Sequence, residues 1–357
     1  MSFKIQNTTI INDQTAYIDL AGTTAVKVPT GNTAQQPAGV QGMLRFNSES
    51  TNFEGYNGTD WDPVGLKVDV QTFSSSGTWT KPAGAKTVYV EIWGGGGGGG
   101  SGRRDVNTGY PTGGGGGGGA AGVFKTFQAA DLTSTVSVTI GAGGAGGASV
   151  TTDTTDGNAG SNGGNSTFGS YLTGLGGLGG QAGGVIANGG SSSSWYVPQY
   201  ATGGTIGFPY TGRLGQDNNL WNLFGGASGG RSYSLAANQV FAGGDILAPG
   251  TGCAGGGGGG CFYNTTLYNA GIGGVRGGTN LSAPFSTGVG LGVAGAAGTN
   301  FGDGGGGGGH GRTAAAGAGG AGNTGAGGGG GGASANGFAS GAGGAGGNGY
   351  CRVTTYY

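Results

Sequence analysis

Residues 141–149 read GAGGAGGAS and residues 173–184 read TGLGGLGGQAGG, so in both stretches a side chain stands on every third residue and the rest is mostly glycine. The same period recurs at Ile272 and Val275, at Ala315, Ala318, Ala321 and Thr324, and at Ala342, Ala345 and Asn348. A polyproline-II-type helix has three residues per turn and rises about 3.1 Å per residue, so this spacing lines substituents along one edge and leaves two edges bare. Such a helix forms no internal hydrogen bonds, and its N–H and C=O groups must find neighbours or water. Bare glycine edges let helices approach until backbone meets backbone. Five runs of consecutive glycines, 94–100, 113–119, 255–260, 304–309 and 327–332, supply further segments. A seven-residue run spans roughly 22 Å, which sets the scale of a compact slab. The edges carrying Leu175 and Ile272 are expected to form thin apolar seams within it.

The wider composition agrees. Glycine contributes 100 of the 357 residues, and only seven of these fall in residues 1–70. Leu, Ile, Val and Phe together stay below the roughly 20% typical of a chain with an ordinary core. Disorder at that composition usually goes with high net charge, but 14 basic residues balance 15 acidic ones. Collagen needs abundant proline and a strict triplet, and there are nine prolines. A flexible linker has no reason to place side chains at a fixed period. No apolar run approaches the roughly 18 residues that cross a bilayer, and MSFKIQNTTI lacks a signal-peptide pattern, so synthesis in a cytoplasm is expected.

Strands flank the glycine. Val88, Val90 and Ile92 alternate with Tyr89, Glu91 and Trp93, a period of two that marks a strand, and Trp79 and Trp93 are expected in a core. Val123–Phe127, Val136–Ile140 and Tyr350–Tyr357 read likewise. Strands that bracket a long glycine-rich insertion imply a small β-sandwich whose last strand returns to pair with the first ones. Residues 1–70 form a separate part of short strands and turns, including Thr8–Leu20, Ala25–Val28, Met43–Phe46 and Asn52–Tyr56. The expected fold is all-β with packed polyglycine-II helices and essentially no α-helix: a short-strand module over 1–70, then a small β-sandwich carrying a glycine-rich helical slab over 71–357.

Two segments carry a resemblance. GTTAVKVPTGNTAQQPAGVQGMLRFNSESTNFEGYNGTDWDPVG, residues 22–65, resembles a β-rich module of bacteriophage tail fibres and other virion proteins. FSSSGTWTKPAGAKTVYVEIWGGGGGGG, residues 73–100, with the closing GGAGGNGYCRVTTYY, is similar to the glycine-rich domain of phage tail fibres and, more loosely, to receptor-binding tip adhesins. The resemblance implies a structural virion tail-fibre protein. Its N-terminal part would attach to other virion tail proteins, as a homotrimer, and its C-terminal part would face a host polysaccharide or outer-membrane protein. A purely structural fibre or decoration protein without receptor binding remains the alternative.

If the slab presents loops, they are the places where glycine yields to bulky residues. The stretch 101–112 offers Arg103, Arg104 and Tyr110; 191–224 offers Trp195, Tyr196, Tyr200, Phe208, Tyr210 and Trp221; 261–269 offers Phe262, Tyr263 and Tyr268; and 280–288 offers Phe285. Exposed aromatics beside Arg, Asn and Ser are the chemistry of recognition surfaces. Enzyme signatures are weak. No GxGxxG follows a strand and opens a helix, and no GxxxxGK[ST] occurs. His310 is the sole histidine and has no partner at catalytic spacing, and a role at a cap or in a loop is expected for it. The acidic residues after Lys125 are scattered, with only Asp153 and Asp156 close together, which disfavours a carboxylate-pair hydrolase. Cys253, Cys261 and Cys351 fit neither a disulfide framework nor a zinc signature. No catalytic residue, metal or cofactor is expected, and the near-zero charge argues against nucleic acid. Period-three edges of Ala and Leu with few Thr argue against ice binding.

Overall fold

The computed structural model describes residues 28–65, 67–109, 111–184, 186–187, 232–233, 239–240, 243, 252–263, 266–270, 273 and 291–357. Its contacts divide the chain into two compact units, Met1–Lys67 and Val68–Tyr357. No α-helix occurs among the described residues; helical turns are limited to 3-10 segments at Thr33–Gln35 and Ala129–Asp131.

The first unit holds β1 (Thr30–Gly31), β2 (Leu44–Asn47), β3 (Asn52–Tyr56) and β4 (Trp61–Pro63) in one sheet of that order. β1 pairs parallel to β2, and the remaining pairs are antiparallel. The turn after β3 is closed by Asn57, whose Oδ1 accepts the N–H groups of Thr59 and Asp60, while Gly58 takes φ +104°. The expected strands at Thr8–Leu20 and 25–27 lie outside the described residues.

The second unit comprises β5 (Val68–Phe73), β6 (Gly77–Thr80), β7 (Thr87–Trp93), β8 (Arg104–Asp105), β9 (Gly122–Gln128), β10 (Thr135–Thr139), β11 (Ser166–Phe168), β12 (Leu172–Gly174), β13 (Ile186–Ala187), β14 (Ser232–Tyr233), β15 (Gln239–Val240), β16 (Cys261–Tyr263), β17 (Thr266–Tyr268), β18 (Ser334–Ala335) and β19 (Tyr350–Tyr356). Two four-stranded antiparallel sheets, β5-β19-β7-β9 and β12-β11-β10-β6, enclose the main core. Val88, Val90, Ile92, Phe127, Cys351 and Val353 from one sheet meet Trp79, Val136, Val138, Phe168 and Leu172 from the other. The alternation read in β7 thus points its aliphatic row inward. Trp93 lies on the other row and packs edge-on to Phe124 and Phe301. The last strand sits between β5 and β7, with Val353 opposite both Gln71 and Val90. Burial pushes the Cys351 thiol up to about 12, with the Glu91 charge adding to it.

Glycine segments grow directly from these strands. β7 continues into 94–103, segment 112–121 leads into β9, β10 continues into 141–150, 156–165 leads into β11, β12 continues into 174–184, and 338–349 leads into β19. Segment 94–103 shows how they pack. Its N–H groups donate in strict rotation at 2.8 to 3.1 Å: Gly95, Gly98 and Ser101 to the carbonyls of Gly164, Ser161 and Asn158; Gly96, Gly99 and Gly102 to Gly347, Gly344 and Gly341; Gly97, Gly100 and Arg103 to Gly118, Gly115 and Thr112. Partners that step back by three residues are antiparallel neighbours. Its carbonyls accept from three parallel neighbours: Gly177, Gly180 and Gly183; Gly144 and Gly147; and Gly328, Gly331 and Ser334. The six neighbours also bond to one another around the ring, as in Gly115 to Gln181, Gly160 to Gly180, Ser161 to Ala145, Gly343 to Gly147, Gly341 to Gly332 and Gly114 to Gly331. One polyglycine helix is therefore enclosed by a closed hexagon of others. Segment 325–335 is surrounded in the same way, donating to 94–103, 252–260 and 312–323 and accepting from 112–121, 302–311 and 338–349. A threefold rotation of bonds matches a three-residue turn, and no glycine of the five runs has positive φ.

The five uninterrupted runs are buried throughout. The interrupted segments form the surface, and most of their described period-three side chains face outward and do not form apolar seams between helices. Ala142, Ala145 and Ala148 are exposed while Gly141, Gly144 and Gly147 are buried; Ala315, Ala318, Ala321, Leu178 and Gln181 are also exposed, and Leu175 is half-buried. Ile272 and Val275 lie outside the described residues. The reason is steric: a Cβ placed on Gly96, Gly97, Gly98 or Gly99 would come closer than 3.0 Å to the carbonyl of Ala326, Leu178, Ala145 or Gly329. Within the runs only hydrogen fits; side chains stand where the lattice has no further neighbour or, as at Ser101, Ala326 and Ala333, near the ends of the enclosed segments. At those edges asparagine replaces the missing backbone, with Asn165, Asn162 and Asn348 Oδ1 accepting from Gly176, Gly179 and Gly143 at 2.9 to 3.0 Å.

Candidate functional site

The registers give the slab two unlike ends. One end joins the sandwich strands, together with the tight turn Asn323–Ala326. The described parts of the connections, residues 103–109, 111–112, 150–157, 261–263, 266–270, 310–316 and 335–339, gather at the other, because each follows or precedes a segment at its far end. There the parallel pair β8–β18 sets Arg104 beside Ser334 and Asp105 beside Ala335.

Three of those connections are tied by charge and by asparagine. Arg103 Nε donates to Asp105 Oδ2 at 2.9 Å, and its Nη1 meets Asp156. Arg104 pairs with Asp153 and donates to the Thr151 carbonyl. Burial alone would lower the Arg103 pKa, but the hydrogen bonds and charges of Asp105 and Asp156 outweigh it and raise it. Asn336 donates its N–H to the Asp105 carbonyl at 2.8 Å and accepts from Thr154 N–H at 3.0 Å, while Gly337 N–H donates to Asp153 Oδ1. These arginines hold neighbouring loops in register. Asp153 and Asp156, which lie close together in the sequence, each face an arginine, with side chains 57% and 64% exposed.

A second cluster lies beside β18. Phe262 is fully buried against Ala333 and Ala335, with its ring 6.4 Å from that of His310 at 71°. His310 itself is 1% exposed, and its Nδ1 has no hydrogen-bond partner. Burial, and secondarily the Arg312 charge, lowers its pKa. The cap role expected of His310 fits its place at the end of run 304–309.

The candidate contact residues divide accordingly. Arg104 is buried and Arg103 largely so, both engaged by carboxylates, so they serve the platform first. Phe262 is corrected from a contact residue to a core one, because it continues the buried run 255–260 into the slab interior. Tyr263 and Tyr268 occupy the hairpin strands β16 and β17 next to it. Tyr110, Trp195, Tyr196, Tyr200, Phe208, Tyr210, Trp221 and Phe285 lie outside the described residues. The ties that join the arginines, Asp153, Asp156 and Asn336 into a platform were not legible in the sequence, because the partners are remote in the chain, 53 residues apart for Arg103 and Asp156 and 182 for Thr154 and Asn336. No group of three or more His, Cys, Asp or Glu that could hold a metal ion occurs among the described residues.

A family model described as a glycine-rich domain matches residues 70–356. Comparison with curated proteins gives no match.

Proposed function

We propose a function from this premise: the chain belongs to the glycine-rich domain family, and its glycine lattice is a rigid mount for loops at one end. The protein acts as a virion tail-fibre component, not an enzyme, made in the bacterial host cytoplasm and carried on the phage tail. Its N-terminal part attaches to other tail proteins, as a homotrimer, and the far-end loops bind a host-surface polysaccharide or outer-membrane protein.

The observation that carries this reading is the asymmetry of the slab. Five connections gather at the end away from the sandwich, and three of them are stitched together by Arg103, Arg104 and Asn336. A stiff backbone lattice keeps binding groups in place at low entropic cost on association, which is how preorganisation raises affinity. The tail-fibre assignment itself draws on the resemblance of residues 22–65 and 73–100.

Replacing residues 195–224 by a short Gly/Ser bridge tests it. The purified variant is expected to keep its thermal transition and to lose the ability to block phage adsorption to host cells. Blocking that survives unchanged removes the binding role from this segment and favours a purely structural fibre.

A further inference from the structure

The first unit is polar inside. Its buried side chains include Arg45 at 4% exposure, Asn47 at 2% and Glu54 at 4%, whereas Met43, Leu44 and Phe53 are exposed. A pocket opens beside the buried group, with Pro29, Pro37, Met43, Leu44 and Trp61 among its walls and Arg45 among its lining residues. Arg45 Nη2 donates to the Asn32 carbonyl at 2.9 Å, and Nε faces Glu54 Oε1 at 3.3 Å. Nη1 is buried and has no acceptor. A buried donor left unpaired costs about 1 to 3 kcal/mol, more when charged.

Glu54 does not fully answer that cation. Its oxygens also accept from Gln36 Nε2 at 3.1 and 3.2 Å and from Asn47 Nδ2 at 3.0 Å, so its charge is shared among three donors. Trp61 is fixed by its indole N–H, which donates to the Pro37 carbonyl at 3.2 Å, and the Arg45 guanidinium carbon lies 5.8 Å from its ring centroid. We infer that this pocket binds a carboxylate carried on an apolar body. The carboxylate oxygen accepts from Arg45 Nη1, a charge-assisted bond of the stronger kind, and the apolar body lies against Trp61, Leu44 and the two prolines. Such a group is found at the end of a peptide with an apolar last residue and in a free aliphatic acid.

Isothermal titration of the full chain distinguishes these sources, with the tripeptide acetyl-Ala-Ala-Leu and 4-methylpentanoate as probes and their amides as controls. The acids are expected to bind at least about tenfold more tightly than the amides, as loss of a charge-assisted bond implies. Tighter binding of the tripeptide assigns the site to chain ends, and tighter binding of 4-methylpentanoate assigns it to free acids. Leu44→Asp, at an exposed wall position, adds a repelling charge without disturbing buried groups; acids and amides both lose the apolar contact, and the acids are expected to weaken about fivefold more than the amides because only they meet the added charge. Arg45→Gln removes the cation and is expected to abolish the acid preference, with the thermal transition recorded alongside. No heat up to roughly 20 mM probe, a concentration that would reveal even weak millimolar binding, overturns the inference, as does equal binding of acid and amide.

Discussion

Gly99→Ala is expected to destabilise the second unit by about 3 kcal/mol or more, which at roughly 2 to 4 °C per kcal/mol lowers the melting temperature by about 10 °C. On an ordinary exposed segment the same change would stabilise slightly by restricting the unfolded chain. Here the added methyl would meet the Gly329 carbonyl and the backbone beyond it, with no flexible side chain to give way. Gly99 also bonds in two directions, its N–H to Gly344 and its carbonyl from Gly147, so moving it aside breaks two ladders at once. Ala145→Ser, on the exposed edge of 141–150, is the matched control and should change stability by no more than about 0.5 kcal/mol. Differential scanning calorimetry of both variants checks the pair. A Gly99→Ala protein that melts with the parent would mean that the runs do not touch.

Removing residues 350–357 is expected to abolish folding of the second unit. β19 is a central strand, paired from Cys351 to Tyr356 with β5 and from Tyr350 to Tyr356 with β7. Its loss leaves β5 with no partner in the sheet and opens an edge along β7. It also takes Cys351 and Val353, both fully buried, out of the main core. The consequence reaches beyond the sandwich, because segment 338–349 is anchored by this strand and is one of the six around 94–103. The truncated chain should lose most of its near-ultraviolet circular dichroism and the cooperative melt of the second unit. Parent-like melting would show that the slab stands without its closing strand.

Much of this architecture was legible because glycine leaves so few ways to pack. The period of three at 142, 145 and 148 announced the helix type, and the alternation from Val88 to Trp93 announced the strand. Which way the substituents face was not legible, since a period defines a line and not its orientation. That is settled by the close approach at positions such as Gly97, where only hydrogen fits. The three-residue strands β11 and β12 were missed because Ser166–Phe168 and Leu172–Gly174 are too short to show a period amid glycine. Phe262 had a usable signal: it follows Cys261 directly after an uninterrupted run, and the uninterrupted runs are interior. Arg103 and Arg104 read as contact residues because their partners, Asp156 and Asp153, are remote in sequence.

Amide hydrogen exchange resolved by residue tests the lattice most directly. In the enclosed segment, every amide from Gly95 to Arg103 donates to a backbone carbonyl, so all should be protected together near the global stability of the unit. On the edge segment 141–150, Gly144 and Gly147 donate to Gly96 and Gly99, whereas Ala142, Ala145 and Ala148 stand at the exposed edge. The expected result is continuous protection in the first segment and protection repeating every third residue in the second, with the three alanine amides exchanging fast. Uniformly fast exchange across the glycine runs, or protection alternating every second residue, would contradict a slab built from packed polyglycine helices.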